Sequence, residues 1–368
     1  GSMFPMLTSR PRPARIPRTA NADRRYLLDR SRAIQHHICM NRTNDGMADL
    51  VRACASLNFG GITPEGGELE FYRALNGEMI TFVKSLPASM QSEAMLFSMR
   101  YAGIRIGEEL DFFHNYHAPV WSVIYWTAAG RIAPGIMRDG ITAHAMAMLL
   151  HSLDDHLADG ELPATHLTLL IRSQAWHLMQ ETLARYGGAL NGGPDAAAGI
   201  MDEYYAAIGD SNAPDTIGEY CARFRKQMAT GLIVPHLTAM HASGGPVLAG
   251  IVRSAGECFG VAWRLLDDIQ DLGKDIRRGR RTAIYCLLPE EGRVLWDGIC
   301  SDTGACAVND GLSRLDGIIR EAGIIGSAVG IMSNELVQAA ALAGEAGLDG
   351  LAEEYRILME PLLGWVPE

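Results

Sequence analysis

Paired cysteines, an excess of basic residues and alternating strand patterns are all missing from this sequence. The seven cysteines, Cys39, Cys54, Cys221, Cys258, Cys286, Cys300 and Cys306, are scattered and odd in number and form no C-x-x-C pair. That spacing excludes a disulfide framework or a zinc knuckle, so they read as reduced core thiols. Lysine and arginine total 32 against 43 aspartates and glutamates, a net charge of −11. Readers of a phosphate backbone usually present a clustered basic surface, so nucleic acid is not an expected partner. No apolar run reaches the roughly 20 residues of a membrane-spanning helix, and the N-terminus has no apolar signal core. The expectation is a soluble, cytoplasmic protein that does not span a membrane. There is no fixed-period repeat and no linker long enough to divide the chain.

What is present is helical periodicity. Apolar residues recur at three- and four-residue spacing in "MADLVRACASL", "GELEFYRALNGEMITFVKSL" and "NELVQAAALAGEAGLDGLAEEYRILMEPLL", and Gly-Gly and Gly-Pro pairs at 187–188, 192–194 and 244–246 punctuate the segments. The fold class expected is all-α, one domain over 26–368 with ten or more helices. Asp215 in "SNAPDTIGEY" is the expected cap of one of them. Residues 1–3, "GSM", read as an expression remnant. Residues 4–25 are rich in Pro and Arg without apolar periodicity, so residues 1–25 read as a mobile arm that is either a solvated tail or a contact for an anionic surface.

Two acidic clusters interrupt apolar helix faces. In "AMAMLLHSLDDHLADG", Asp155 and Asp159 lie one helical turn apart with Asp154 beside them. In "FGVAWRLLDDIQDLGKD", Asp267 and Asp271 are likewise one turn apart, with Asp268 between. One such cluster is usually a solvated helix end. Two, each emerging from an apolar run, suggest carboxylates that face a cavity, where their repulsion calls for a compensating cation. Hard carboxylate oxygens suit Mg²⁺, which keeps open positions for water or phosphate.

With Asp267 following Asp154 by 113 positions in an all-α chain, the sequence resembles the trans-isoprenyl diphosphate synthase superfamily, including class I terpene synthases. The second motif, "LLDDIQDLGKDIRRGRRT", carries most of the likeness, with Arg280 where lysine is usual. The resemblance implies a helical bundle around a central cavity and Mg²⁺ held by Asp154, Asp155, Asp159, Asp267, Asp268 and Asp271. It also implies an allylic prenyl diphosphate as substrate, ionised to a carbocation, and a homodimer. Lys226, Arg264, Lys274 and Arg280 are the candidate diphosphate partners, Arg264 being equally a candidate ion-pair partner of the aspartates and Lys226 equally a surface lysine.

The basic elements expected for a second, isopentenyl substrate are absent. After "MRYA", residues 106–112 read Ile-Gly-Glu-Glu-Leu-Asp-Phe, with Glu108, Glu109 and Asp111 where the family carries basic residues. Such a reversal disfavours an anionic ligand by several kcal/mol at partly buried positions. "GELPATH" has no arginine pair, and Ala229-Thr230-Gly231 stands where Lys-Thr-Gly is usual. The expected activity is therefore ionisation without elongation, a terpene synthase or cyclase. The alternatives are prenyl transfer, elongating or onto another acceptor, and an inactive regulatory relative. Although aromatics are only 7% of the chain, "DFFHNYHAPVWSVIYW" concentrates Phe112, Phe113, Tyr116, Trp121 and Tyr125. These read either as the wall of a cation-stabilising pocket or as an ordinary aromatic core layer. His114 and His117 read as surface or core residues. No side-chain base is identifiable.

Overall fold

Caps and breakers divide the chain where the periodicity fails. The computed structural model describes residues 47–365 apart from 129–131, 244 and 302–304; the arm and Cys39 fall outside the described residues, as do the side chains of Cys300 and Cys306. Sixteen α-helices and, among the described residues, no strand are formed. In chain order they are α1 (Ala48–Ser56), α2 (Gly66–Ser85), α3 (Ala88–Tyr101), α4 (Pro119–Ala128), α5 (Pro134–Ala158), α6 (His166–Gly188), α7 (Gly193–Gly209) and α8 (Ile217–Gln227). There follow α9 (Ala229–Ser243), α10 (Pro246–Gln270), α11 (Leu272–Arg278), α12 (Ala283–Leu287), α13 (Glu290–Ser301), α14 (Ala305–Glu321), α15 (Ile324–Glu345) and α16 (Asp349–Met359). Cys54, Cys258 and Cys286 are buried free thiols, and Cys221 is half-buried and free.

The two longest helices carry the acidic clusters. Proline opens both α5 and α10 at a position where its missing N–H costs nothing. In α5, every residue from Thr142 to Leu150 is buried, as befits a helix apolar all round that sits inside other helices. It packs against α6, α2 and α9, while α10 packs against α15, α9 and α8. Helix α9 thus touches both. It lies close to α10, where a Cβ on Gly256 would meet Leu232 at 2.4 Å and one on Gly260 would meet Met228, just before α9, at 2.6 Å.

Helix α6 begins with a reciprocal cap between Thr165 and Thr168, and α8 with one between Thr216 and Glu219. The cap of α8 is therefore Thr216 rather than Asp215, because the hydroxyl of Thr216 accepts from the Glu219 N–H while the Glu219 carboxylate accepts from Thr216 N at 3.3 Å. Helix α15 differs from expectation in another way: its 22 residues are long and apolar enough to cross a membrane by length and composition. Nine of them, from Ile324 to Ala343, are buried, and it packs chiefly against α10 and α16, so burial within the bundle accounts for its composition.

Candidate active site

Left-handed glycines after α5 and α11 help bring the acidic clusters together. Asp159 is the last residue of the α5 end, and Gly160 follows at φ +68, a conformation glycine adopts without strain. That turn folds Glu161 back so that its N–H reaches the His156 carbonyl at 2.9 Å. Gly279, at φ +64, does the same after α11, and Arg280 N bonds the Asp275 carbonyl at 3.0 Å. Glu161 and Arg280 are delivered to one place: Arg280 Nη1 donates to Asp159 Oδ2 at 2.6 Å. Lys274 pairs with both Glu161 and Asp271, the latter at 2.9 Å. The first and second clusters are thereby tied through their own cations.

An aromatic bridge supports the same junction from below. Trp263 of α10 lies 5.6 Å from His151 of α5 and 5.8 Å from Tyr116, centroid to centroid. His151 precedes Asp154 by one turn and Trp263 precedes Asp267 by one turn, so this contact sets the two clusters opposite each other. Burial holds the His151 imidazole below its usual proton affinity, against the pull of Asp155 and Asp154.

The six aspartates are in different states. Asp154 is gripped by Arg172, Nε to Oδ1 at 2.6 Å and Nη2 to Oδ2 at 2.9 Å, with Trp176 Nε1 at 3.3 Å. Asp159 and Asp271 are paired as described. Asp268 is 1% exposed; its Oδ2 accepts from Tyr220 at 2.7 Å and from Ala283 N at 2.9 Å. Among the described residues, the Asp267 carboxylate pairs only with Arg264 Nη1, at 3.4 Å. Desolvation by the surrounding side chains, together with the charges of Asp268, Asp271 and Asp155, raises the Asp267 carboxyl to about 6 against the opposing effect of Arg264, even though about half of the side chain (53%) is exposed. Asp155 is exposed, and its carboxylate has no hydrogen bond or ion pair among the described residues.

Among the described residues, no three carboxylate, imidazole or thiol groups converge as a ready-made metal site. The donor chemistry nevertheless suits Mg²⁺. Asp155 and Asp267 offer hard oxygens within electrostatic reach of each other, and a divalent ion would relieve the part of the rise at Asp267 that neighbouring carboxylates add to desolvation. Of the expected diphosphate partners, Lys274 and Arg280 sit on the clusters. Arg264 is the ion-pair partner of Asp267 and Asp268. Lys226 is exposed at the end of α8 and, among the described residues, forms no hydrogen bond or ion pair with either cluster.

The aromatic segment divides. Phe112, Phe113 and Tyr116 line a cavity of about 30 Å³ with Met79, Ser98, Tyr101, Ala102, Leu149 and Ser152. That is room for about two water molecules, less than a prenyl chain needs. Tyr116 bonds Ser152, two residues before Asp154, so the cavity adjoins the first cluster. Trp121 and Tyr125 are elsewhere: they occupy one face of α4 and meet Tyr72 at 4.6 Å and Phe71 at 5.9 Å, both on α2. A shallow depression of about 380 Å³ between Gly245–Ile251 and the end of α15 contains none of the aspartates.

Several site residues are not evident in the sequence. Arg172, Glu161, Tyr220 and Trp263 are assembled by tertiary contact, and only Glu161, adjacent to the first cluster, carried a local signal. The acidic loop is partly self-neutralised: Glu108 pairs with Arg105 at 3.2 Å, Glu109 with Arg73 at 3.7 Å, and Asp111 accepts from Tyr72 at 2.6 Å.

No protein-family model matches the sequence, and neither does any curated protein sequence. Solved structures do match. Geranylgeranyl pyrophosphate synthase of Lactobacillus brevis aligns at 12% identity and TM-score 0.62, covering 79% of this chain and 97% of that one. Geranylgeranyl pyrophosphate synthetase of Pyrococcus horikoshii aligns at 15% identity and TM-score 0.56, over 79% and 96%. Polyprenyl synthase of Caulobacter crescentus, solved with calcium and isoprenyl diphosphate, aligns at 15% identity and TM-score 0.56, over 86% and 98%. The chain has the all-α fold of the trans-isoprenyl diphosphate synthases.

Proposed function

We propose that the protein is a Mg²⁺-dependent class I isoprenoid enzyme that ionises an allylic prenyl diphosphate. The observation that carries this is the facing of two acidic helix ends, Asp154–Asp159 on α5 and Asp267–Asp271 on α10, across a junction already populated by Lys274 and Arg280. Without ligand, the cations and carboxylates of the site neutralise one another. A magnesium diphosphate brings both charges, so each partner exchanges without any being left bare. Asp155 and Asp267 would hold Mg²⁺ first, joined by Asp154, Asp159 and Asp271 as Arg172, Arg280 and Lys274 turn to phosphate oxygens. Lys226 would join them from the end of α8. When bound, Mg²⁺ supplies stabilisation of the charge that develops on the departing diphosphate. The hydrocarbon would enter the cavity beside Ser152, lined by Phe112, Phe113 and Tyr116, whose aromatic rings could stabilise a cation; side chains must part to admit it.

For the fate of the cation, the fold neighbours favour prenyl transfer over the terpene-synthase reading preferred from sequence, since those matched are prenyl diphosphate synthases. Cyclisation or deprotonation remains the second reading, supported by Glu108 and Glu109 where a basic acceptor site would lie. Incubation with geranyl, farnesyl or geranylgeranyl diphosphate, with and without isopentenyl diphosphate, separates them. Longer diphosphates formed only when isopentenyl diphosphate is added identify an elongating transferase, hydrocarbons or alcohols formed without it identify a synthase, and no diphosphate release from any donor refutes both. By its fold the protein is expected to act as a homodimer, which light scattering checks.

A further inference from the structure

We propose that Arg264 is a built-in counter-cation of the second aspartate cluster, a positioning residue that occupies by charge what a divalent ion would otherwise neutralise and withdraws Asp268 from metal binding. The inference rests on the function proposed above and concerns how many ions that site takes.

Asp268 is surrounded by protein groups. Its Oδ2 accepts from the Tyr220 hydroxyl at 2.7 Å and from the Ala283 N–H at 2.9 Å. Its Oδ1 is buried with no aligned hydrogen bond and lies 3.0 Å from Arg264 Nε, so it is balanced by the charge of that guanidinium. Arg264 is itself held: its Nε donates to the Tyr220 hydroxyl at 2.9 Å, and its guanidinium carbon lies 5.7 Å from the centre of the Phe224 ring. Tyr220 therefore accepts from Arg264 and donates to Asp268, a closed arrangement of three side chains from α8 and α10.

A guanidinium stays protonated at any working pH, so this charge is permanent. Reaching Asp268 with a metal ion would require breaking two hydrogen bonds and bringing a dication against the guanidinium. Asp267, whose contact with Arg264 is longer at 3.4 Å, keeps an open oxygen, and so does Asp155 across the junction. The adjacent aspartates at 267 and 268 are thus unlike: one faces the ligand, and the other anchors the charge that shapes the cluster.

The test is calorimetric titration of the whole protein with Mg²⁺ in the presence of inorganic pyrophosphate, comparing wild type with Arg264→Gln, Arg264→Lys and Asp268→Asn. Removing a fixed positive charge beside a cation site is expected to tighten Mg²⁺ binding about tenfold or more, or to add one ion per chain, in Arg264→Gln. Arg264→Lys, which keeps the charge, is expected to stay with the wild type. Asp268→Asn, which loses no ligand if the inference holds, is expected to retain the wild-type number of ions; it also serves if Arg264→Gln does not fold. Equal affinity and stoichiometry in Arg264→Gln and wild type, or loss of an ion in Asp268→Asn, overturns the inference while leaving the proposed function intact. A wild type that takes up no Mg²⁺ with pyrophosphate overturns both.

Discussion

Replacing Glu354 by glutamine should abolish a fall in stability that the wild type shows between mildly acidic and mildly alkaline pH. Glu354, on α16, is 4% exposed and accepts from Trp126 Nε1 at 2.6 Å and from the Ser122 hydroxyl, both on α4. The Glu68 carboxyl of α2 lies close enough to couple to it electrostatically. Burial, reinforced by the Glu68 charge, raises the Glu354 carboxyl from 4.5 to about 8, while the Ser122 and Trp126 donors oppose the rise. Unfolded, this group would release its proton near 4.5; folded, it retains it. Between those values folding takes up a proton, so stability is full below about pH 4.5 and is lost as pH climbs toward 8. At about 1.4 kcal/mol per tenfold change in proton affinity, the ceiling on the loss is roughly 5 kcal/mol. Water entry and relaxation around the pair reduce this, so about 2 kcal/mol is expected between pH 5 and 8.5. Glutamine cannot ionise, and its amide can satisfy Trp126, Ser122 and Glu68. Urea midpoints measured across this range should therefore slope for the wild type and flatten for Glu354→Gln. Parallel curves for the two proteins would refute the reasoning.

Asp155→Ala and Asp267→Ala should each lower diphosphate release from an allylic donor on the order of 100-fold, with thermal stability at least equal to that of the wild type because neither carboxylate is well paired; a change under threefold would remove both from the site. Chelation of divalent ions should abolish release, and restored Mg²⁺ should recover it; full activity in excess chelator would contradict a metal-assisted departure. Gly350→Ala would set a Cβ 2.3 Å from Trp126 Cη2, and this overpacking should cost about 1–3 kcal/mol, read as a lowered melting temperature. Phe113→Ala removes a buried ring from the cavity wall; a cost of about 3–5 kcal/mol should accompany a shift to longer or bulkier products by mass spectrometry, and an unaltered product profile would place the hydrocarbon elsewhere.

The fold class and the acidic helix ends were legible because both depend on spacing along one helix. Asp155 with Asp159 and Asp267 with Asp271 are separated by a single turn whatever surrounds them. The partner of Asp154 was not legible: Arg172 lies 18 positions away on a helix whose return angle is set by packing. For the same reason the Trp263–His151 contact, which joins two helices, leaves no local signature. Aromatic crowding in "DFFHNYHAPVWSVIYW" marks composition and not direction. Its first part is a turn segment folded toward α5, whereas Trp121 and Tyr125 are four apart on α4 and face α2. The cap of α8 was displaced by one residue because Asp and Thr are both good caps, and the reciprocal bond with Glu219 favours the threonine.

Both acidic clusters stand at the carboxyl ends of α5 and α10, where backbone carbonyls already present the negative end of the macrodipole, although Asp271 is also the N-cap residue of α11. Placing aspartates there is the reverse of ordinary helix-end chemistry, so the final turns of α5 and α10 are electrostatically loaded before any ligand arrives. Cation binding would discharge that load along the helix axes as well as at the side chains. The consequence is a change in local opening: amide hydrogens of 155–161 and 267–275 should exchange faster than the apolar stretches preceding them and slow markedly when Mg²⁺ and pyrophosphate are added.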